Sequence, residues 1–196
     1  IQEGDAQWQN QKGKRAGRPP VEPLYTVADA EAAMQLVTTF EYGQIFDVCE
    51  GVKVRFVDAG HLLGSACAEI WATEGDVTKK IVFSGDIGSG NRPLIKDPQY
   101  IREADYVVME STYGDRNHAA PPDYATALAA VIKDTFTRGG NLVIPAFSVG
   151  RTQEMLYFIR KIKTEHLLPE FESFDVYVDS PLAVEATTIF NKNVQD

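Results

Sequence analysis

Short apolar runs rich in residues that favour β-structure recur between residues 44 and 111, a pattern typical of β-strands. Each run is followed by residues that favour turns, such as glycine, aspartate and asparagine. The pattern therefore predicts a series of strands that follow one another closely. The predicted strands in this region are residues 44–49, 52–58, 66–73, 79–86 and 104–111.

Helical patterns precede these strands. Residues 1–14 are typical of the end of a helix, and a connector rich in glycine and proline follows them. Residues 26–37 predict a second helix, in which Thr26 is the N-cap and Asp29 completes a capping box. Both helices are expected to stop before the first strand begins.

After Pro121 the pattern changes to alternating helices and strands. Helices are predicted at residues 123–138, 151–165 and 182–191, and Ser180 and Pro181 are typical of a helix start. Apolar strands are predicted between them at residues 141–147 and 175–179. This βα alternation is typical of a parallel sheet, so the fold class is expected to be α/β.

Composition narrows the possible classes of protein. The chain has 196 residues, of which 44% are hydrophobic, so it is long enough to bury a core as one domain or two small ones. The net charge of −9 gives no indication of nucleic-acid binding. Cys49 and Cys67 form no CxxC motif, which argues against a disulfide scaffold or zinc ribbon and favours a cytoplasmic location. No apolar run is long enough to span a membrane.

Three residues that can take part in chemistry each follow a predicted strand. His61, Asp86 and Glu110 are about two dozen residues apart, so they are expected to lie on one rim of a sheet. Each also has a structural interpretation: His61 and Asp86 can be turn residues, and Glu110 can close a turn with Ser111 and Thr112. Because one such residue follows each of three predicted strands, a shared site is favoured.

The order of several motifs resembles one family, the metallo-β-lactamase-fold nucleases that carry a β-CASP insertion. The resemblance covers residues 57 to about 190 and rests on the motifs AGHLLGSA, FSGDIG, ESTYGDRNH, PAFSVGRTQEML and VYVDSPLA. It implies a partial metallo-β-lactamase αββα sandwich at residues 1–113 and the first part of a β-CASP parallel α/β domain at residues 114–196. The implied activity is hydrolysis of RNA phosphodiester bonds at a dinuclear zinc site.

The resemblance also implies roles for the three rim residues. His61 would be a ligand of Zn²⁺, and Asp86 would bridge two metal ions. Glu110 would be the acidic residue that opens the β-CASP region, where it would orient a histidine or share a proton with it.

The chain departs from the family pattern in its histidines. The family requires an HxHxDH motif before His61 and further histidines after the insertion, whereas this chain contains only His61, His118 and His166. We therefore expect an internal piece of a longer ribonuclease, inactive alone and binding zinc weakly or not at all. RNA is the expected partner of the parent. Self-association, or contact with the missing parts of the parent, is expected to cover exposed strand edges.

Other residues are candidates for contact with substrate. Ser148 and Arg151 lie at a predicted helix N-terminus, where a phosphate of RNA can bind. Pairing of Arg151 with Glu110 or Glu154 is an equal alternative. His118 lies in a loop after Glu110 and is expected to be structural or to face the substrate.

Two other classes of function remain as alternatives. One is a non-catalytic α/β module that binds RNA or a protein, which the missing histidines favour. The other is a nucleotide-binding loop at GDIGSG, although this segment lacks the Lys-Ser/Thr ending of a P-loop and does not match G-x-G-x-x-G.

Overall fold

The structure, a computed structural model that describes residues 2–171 and 173–193, has a mixed α/β fold. The α/β class expected from the sequence is therefore confirmed. The chain divides into two compact units, residues 1–41 and residues 42–196. The boundary near residue 113, which comes from the family resemblance, stays a prediction.

The first unit contains two helices, α1 (Gln2–Arg15) and α2 (Val27–Met34). Ile1, which the prediction included in the first helix, lies outside the described residues. The capping box of α2 is confirmed, because the Thr26 side chain accepts a hydrogen bond from the backbone N–H of Asp29 and the Asp29 carboxylate accepts one from the backbone N–H of Thr26. The helix ends at Met34, three residues before its predicted end.

The second unit begins with one sheet of five strands, whose spatial order follows the chain. Neighbouring strands are antiparallel except for β4 and β5, which are parallel. The strands are β1 (Ile45–Cys49), β2 (Val52–Asp58), β3 (Ala66–Glu74), β4 (Val77–Phe83) and β5 (Tyr106–Val108).

Strand β5 is shorter than predicted, and side-chain hydrogen bonds accompany the backbone hydrogen bonds at both of its ends. The Asp105 carboxylate accepts the backbone N–H of Lys80 at 2.8 Å, and the backbone N–H of Glu110 donates to Ser84 Oγ at 3.0 Å. This strand forms an edge of the sheet, and its residues are exposed. The expected self-association through such an edge stays a prediction.

The three predicted helices of the second half are present as α3 (Tyr124–Thr137), α4 (Arg151–Thr164) and α5 (Pro181–Lys192). Ser180 caps α5 as predicted, because its side chain accepts a hydrogen bond from the backbone N–H of Ala183. Helices α3 and α4 enclose an apolar core with the residues that follow α4. Its buried members are Ala125, Ala129, Ile132, Ile162 and Leu168.

Replacing Ile162 with alanine tests the contribution of this core. Ile162 is only 1% exposed, so the substitution removes buried apolar surface and leaves a cavity. We expect the free energy of unfolding to fall by about 2–5 kcal/mol, measured by urea denaturation. Ile189→Ala is the matched control because Ile189 is 55% exposed, and it should change stability by less than about 0.5 kcal/mol. Equal losses in the two variants would contradict this description of the core.

The strands predicted at residues 141–147 and 175–179 are wrong, since neither segment is a strand in the structure. A strand requires a neighbour that satisfies its backbone N–H and C=O groups, and neither segment pairs with another among the described residues. Their apolar side chains are correspondingly open: Val143, Phe147 and Tyr177 are each more than 80% exposed. Both segments are non-helical, in agreement with the apolar pattern, but the pattern in a segment does not establish that a partner strand is present.

Two expectations from composition concern cysteines and membranes. Cys49 and Cys67 are both free thiols, the first exposed and the second buried. Within residues 2–171 and 173–193, no helix combines the length and the apolar character that crossing a membrane requires.

Candidate functional site

The C-terminal ends of β2, β4 and β5 lie at the same edge of the sheet, which is an edge formed by strand ends and not by an outer strand. Because β2 and β4 are both antiparallel to β3, they run in the same direction, and β5 is parallel to β4. His61 follows the end of β2, Asp86 follows the end of β4, and Glu110 follows the end of β5. The structure therefore places all three residues at one edge, as their spacing suggested.

The turn that carries His61 is held by a network of short hydrogen bonds. Asp58 Oδ1 accepts the backbone N–H of Gly60 at 2.8 Å, and Ser65 Oγ accepts the backbone N–H of His61 at 3.0 Å. The neighbouring loop approaches closely, because a Cβ atom at Gly88 would overlap the carbonyl oxygen of Gly60. Gly88 also donates its backbone N–H to the carbonyl oxygen of Ala59 at 2.8 Å. These contacts fix the backbone of His61 beside the loop after β4.

Glu110 is held by the same loop. Its carboxylate accepts the backbone N–H of Ile87 and the hydroxyl of Thr112, each at 2.7 Å. These hydrogen bonds, with a smaller contribution from the charge of His61, lower the pKa of Glu110 below its usual value. The carboxylate is therefore ionised at neutral pH and is available as a hydrogen-bond acceptor.

A cavity of about 530 Å³ opens between these elements. This volume lies within the range of roughly 300–1,000 Å³ that is usual for ligand pockets. His61 and Glu110 both line the cavity, whereas Asp86 is exposed and precedes the lining residue Ile87. The other lining residues are Gly88, Ser89, Arg92, Met109, Ser111, Thr112, Tyr113, Gly114 and His118.

His118 also lines this cavity and packs against Tyr113. Its ring meets the ring of Tyr113 edge to face, with centroids 4.5 Å apart, and the Arg116 guanidinium lies 5.2 Å from the Tyr113 centroid. His118 is exposed, so it can reach a bound molecule. The structure thus brings His118 together with His61 and Glu110, while its role as a substrate contact stays a prediction.

Ser148 and Arg151 do not line this cavity. Ser148 Oγ lies 3.3 Å from Ser180 Oγ, a contact between the residues that precede α4 and α5. Arg151 Nη1 lies 2.8 Å from Glu154 Oε2, so Arg151 makes one of the two ion pairs that the sequence left open. Contact of either residue with substrate stays a prediction.

Sequence reasoning missed Arg92, which lies in the loop between β4 and β5. Its Nε and Nη2 donate to Glu154 Oε1 at 3.0 and 2.5 Å, and its Nη1 donates to the carbonyl oxygen of His61 at 3.2 Å. Arg92 thus connects α4 to the turn of His61. The signal in the sequence was weak, because an arginine in a glycine-rich loop does not reveal a carboxylate 62 residues away.

Metal-binding side chains are incomplete at this edge. Within the part of the chain that the structure describes, no three histidine, cysteine, aspartate or glutamate side chains are arranged to hold a metal ion. His61 and Asp86 offer imidazole nitrogen and carboxylate oxygen, which are the donor types that zinc accepts. Further ligands would be required to complete a zinc site.

Comparison with known proteins finds that the chain is similar to ribonucleases and to a transcription termination factor. A ribonuclease of Thermus thermophilus is 32% identical over 89% of this chain and 38% of its own length. The transcription termination factor FttA of Methanosarcina mazei is 36% identical over 76% of this chain and 23% of its own length. An RNase J-like protein of Methanocaldococcus jannaschii is 32% identical over 85% of this chain and 38% of its own length.

These relatives are much longer than the region they share with this chain. The chain spans less than two fifths of each of the three. No protein-family profile matches the chain. The similarity therefore describes one segment of such proteins.

Proposed function

This chain is a homologue of metallo-β-lactamase-fold nucleases of the β-CASP family, and on that premise we propose that it forms part of a zinc-dependent ribonuclease. The proposed reaction is hydrolysis of RNA phosphodiester bonds. RNA is the proposed substrate because the relatives are ribonucleases and RNA-processing factors.

One observation carries the proposal. His61, Asp86 and Glu110 leave three strands at the same edge of the sheet, and two of them line one cavity with His118. Side chains held by strand ends keep their positions with little loss of entropy when a substrate binds. This arrangement supports an active site better than it supports three unrelated turn residues.

The proposed roles follow the chemistry of each side chain. His61 and Asp86 would each supply one zinc ligand, and the others would come from the longer protein. A bound zinc pair supplies a nucleophilic water near neutral pH and stabilises charge on the phosphodiester. Glu110 is ionised and lines the cavity, so it would orient a histidine that donates a proton, or share a proton with that histidine.

Zinc content and RNA cleavage test the proposal directly. Two proteins are compared after dialysis: this 196-residue chain and the longer protein that contains it. We expect the longer protein to retain zinc and to cleave RNA, and the chain alone to retain well under a stoichiometric pair and to be inactive. Elemental analysis and a gel assay with labelled RNA provide the measurements. A stoichiometric zinc pair in the chain alone would contradict the ligand assignment.

A non-catalytic RNA-binding module is the second candidate. It is favoured by the incomplete set of metal-binding side chains among the described residues. The same two assays, with a measurement of RNA binding added, separate the candidates: a longer protein that binds RNA, retains no zinc and leaves the RNA uncleaved would support the non-catalytic module.

A further inference from the structure

The cavity beside His61 contains one permanent positive charge. Among the described residues that line it, Arg92 is the only arginine or lysine. Glu110 lines the same cavity and is ionised, so it repels an incoming phosphate. An RNA backbone that enters this cavity therefore needs a cation to offset that repulsion.

The Arg92 guanidinium is held in one orientation. Two of its N–H groups donate to Glu154 Oε1, and a third donates to the carbonyl oxygen of His61. A guanidinium has about five N–H donors, so about two remain for another acceptor. The side chain is 22% exposed, which leaves part of it open to the cavity.

Glu154 holds Arg92 in place within a cluster of three charged side chains, Arg92, Arg151 and Glu154, and it does not neutralise that cluster. Its side chain is only 5% exposed, and it pairs with Arg151 as well as with Arg92. Two guanidinium groups therefore share one carboxylate, and the cluster has a net positive charge. A buried carboxylate also limits the rotamers of Arg92, so little side-chain entropy is lost when an anion binds.

We propose that Arg92 binds a phosphate of the RNA backbone in this cavity, and that Glu154 and the His61 carbonyl hold its guanidinium in position. The inference rests on the proposed function, since it takes RNA as the ligand. It assigns the phosphate contact to a residue of the β4–β5 loop. Helix α4 then contributes to RNA binding through Glu154, which acts as a positioning residue.

RNA-binding measurements on the 196-residue chain test this proposal. Fluorescence anisotropy with a labelled single-stranded oligouridine gives Kd, and a chelator in the buffer prevents cleavage. Arg92→Ala should weaken binding by about 10- to 100-fold, the loss expected for a charged hydrogen bond. The slope of log K against log salt concentration should also fall by about one, because one phosphate contact is lost.

Two further variants separate a phosphate contact from general charge and from misfolding. Arg102→Ala removes an exposed arginine that does not line the cavity, so binding should stay unchanged. Arg92→Lys keeps the charge and loses the forked geometry, so affinity should fall several-fold while the salt slope is retained. Thermal melting of each variant shows whether it is folded.

The outcomes distinguish this inference from the proposed function. RNA binding by the unsubstituted chain with unchanged affinity in Arg92→Ala would overturn the role of Arg92 and leave the proposed function standing. If Arg92→Ala does not fold, unchanged affinity in Arg92→Lys would overturn it equally. Absence of RNA binding by the unsubstituted chain would overturn the phosphate site in this chain, whereas the proposed function is tested separately by the zinc content and RNA cleavage of the longer protein.

Discussion

An Asp86→Asn variant of the longer protein is expected to cleave RNA more slowly than the unsubstituted protein, on the order of 100-fold or more, and to retain less zinc. Asparagine has nearly the same size as aspartate but lacks its negative charge. In the proposed site the Asp86 carboxylate would help to hold the metal ions and would balance their charge, so both readouts should fall together. Zinc content by elemental analysis and initial rates of RNA cleavage are measured on the same preparation.

Asp76→Asn is the matched control for this change. Asp76 is exposed in the turn between β3 and β4, at the opposite edge of the sheet from Asp86. The chemical change is identical, and zinc content and cleavage should be unaffected. Full zinc content and near-normal cleavage in Asp86→Asn would refute the metal-site assignment, and Asp86 would then be a turn residue.

Glu69→Gln is expected to lower the free energy of unfolding by about 3–5 kcal/mol, the usual cost of breaking a buried ion pair. Glu69 is fully buried in β3, where its carboxylate lies 2.5 Å from Arg55 Nε and 2.6 Å from Lys80 Nζ. The Trp71 ring lies beside both cations, 5.5 Å from the Arg55 guanidinium and 5.3 Å from Lys80 Nζ. A neutral amide leaves these two cations without their counter-charge. Urea denaturation gives the loss.

Glu74→Gln is the control, because Glu74 is exposed at the end of the same strand. The substitution should change stability by less than about 0.5 kcal/mol. A similar loss in both variants would show that the effect comes from glutamine in the strand, and it would contradict the role assigned to the buried ion pairs.

The Glu69 carboxylate also makes the free energy of unfolding depend on pH. Burial favours the neutral form of Glu69, but the interactions with Arg55 and Lys80 outweigh it and lower the pKa below 4.5. A group with a lowered pKa stabilises the folded state fully above its unfolded pKa, and this contribution is lost as the pH falls through the folded pKa. The unsubstituted chain should therefore lose stability below about pH 4.5, and Glu69→Gln should lose less over that range.

Features that depend on neighbours in the chain were predictable. The capping residues Thr26 and Ser180 satisfy N–H groups within three residues of themselves, so their patterns are sufficient. The position of His61, Asp86 and Glu110 at one edge was predictable for a related reason. Strands β2, β3 and β4 alternate in direction, so His61 and Asp86 follow strands that run the same way. Glu110 joins them because the longer loop after β4 returns the chain to form β5 parallel to β4.

Features that depend on distant residues were not predictable. The apolar runs at residues 141–147 and 175–179 look like strands, but a strand exists only when another strand supplies its hydrogen bonds. The burial of Glu69 is a similar case, because the two cations that make it tolerable lie on the two neighbouring strands.

By itself, the sequence determined the bounds of α1, α3, α4 and α5 and of β1, β2 and β3 to within about one residue, and the edge at which the candidate site lies, whereas α2, β4 and β5 end earlier than predicted. Only the tertiary structure decided that Arg92 reaches Glu154 across 62 residues and that Arg151 shares this carboxylate. Short-range hydrogen bonds and periodic burial depend on residues that are close in the sequence. An ion pair between a loop and a helix depends on how the whole chain packs.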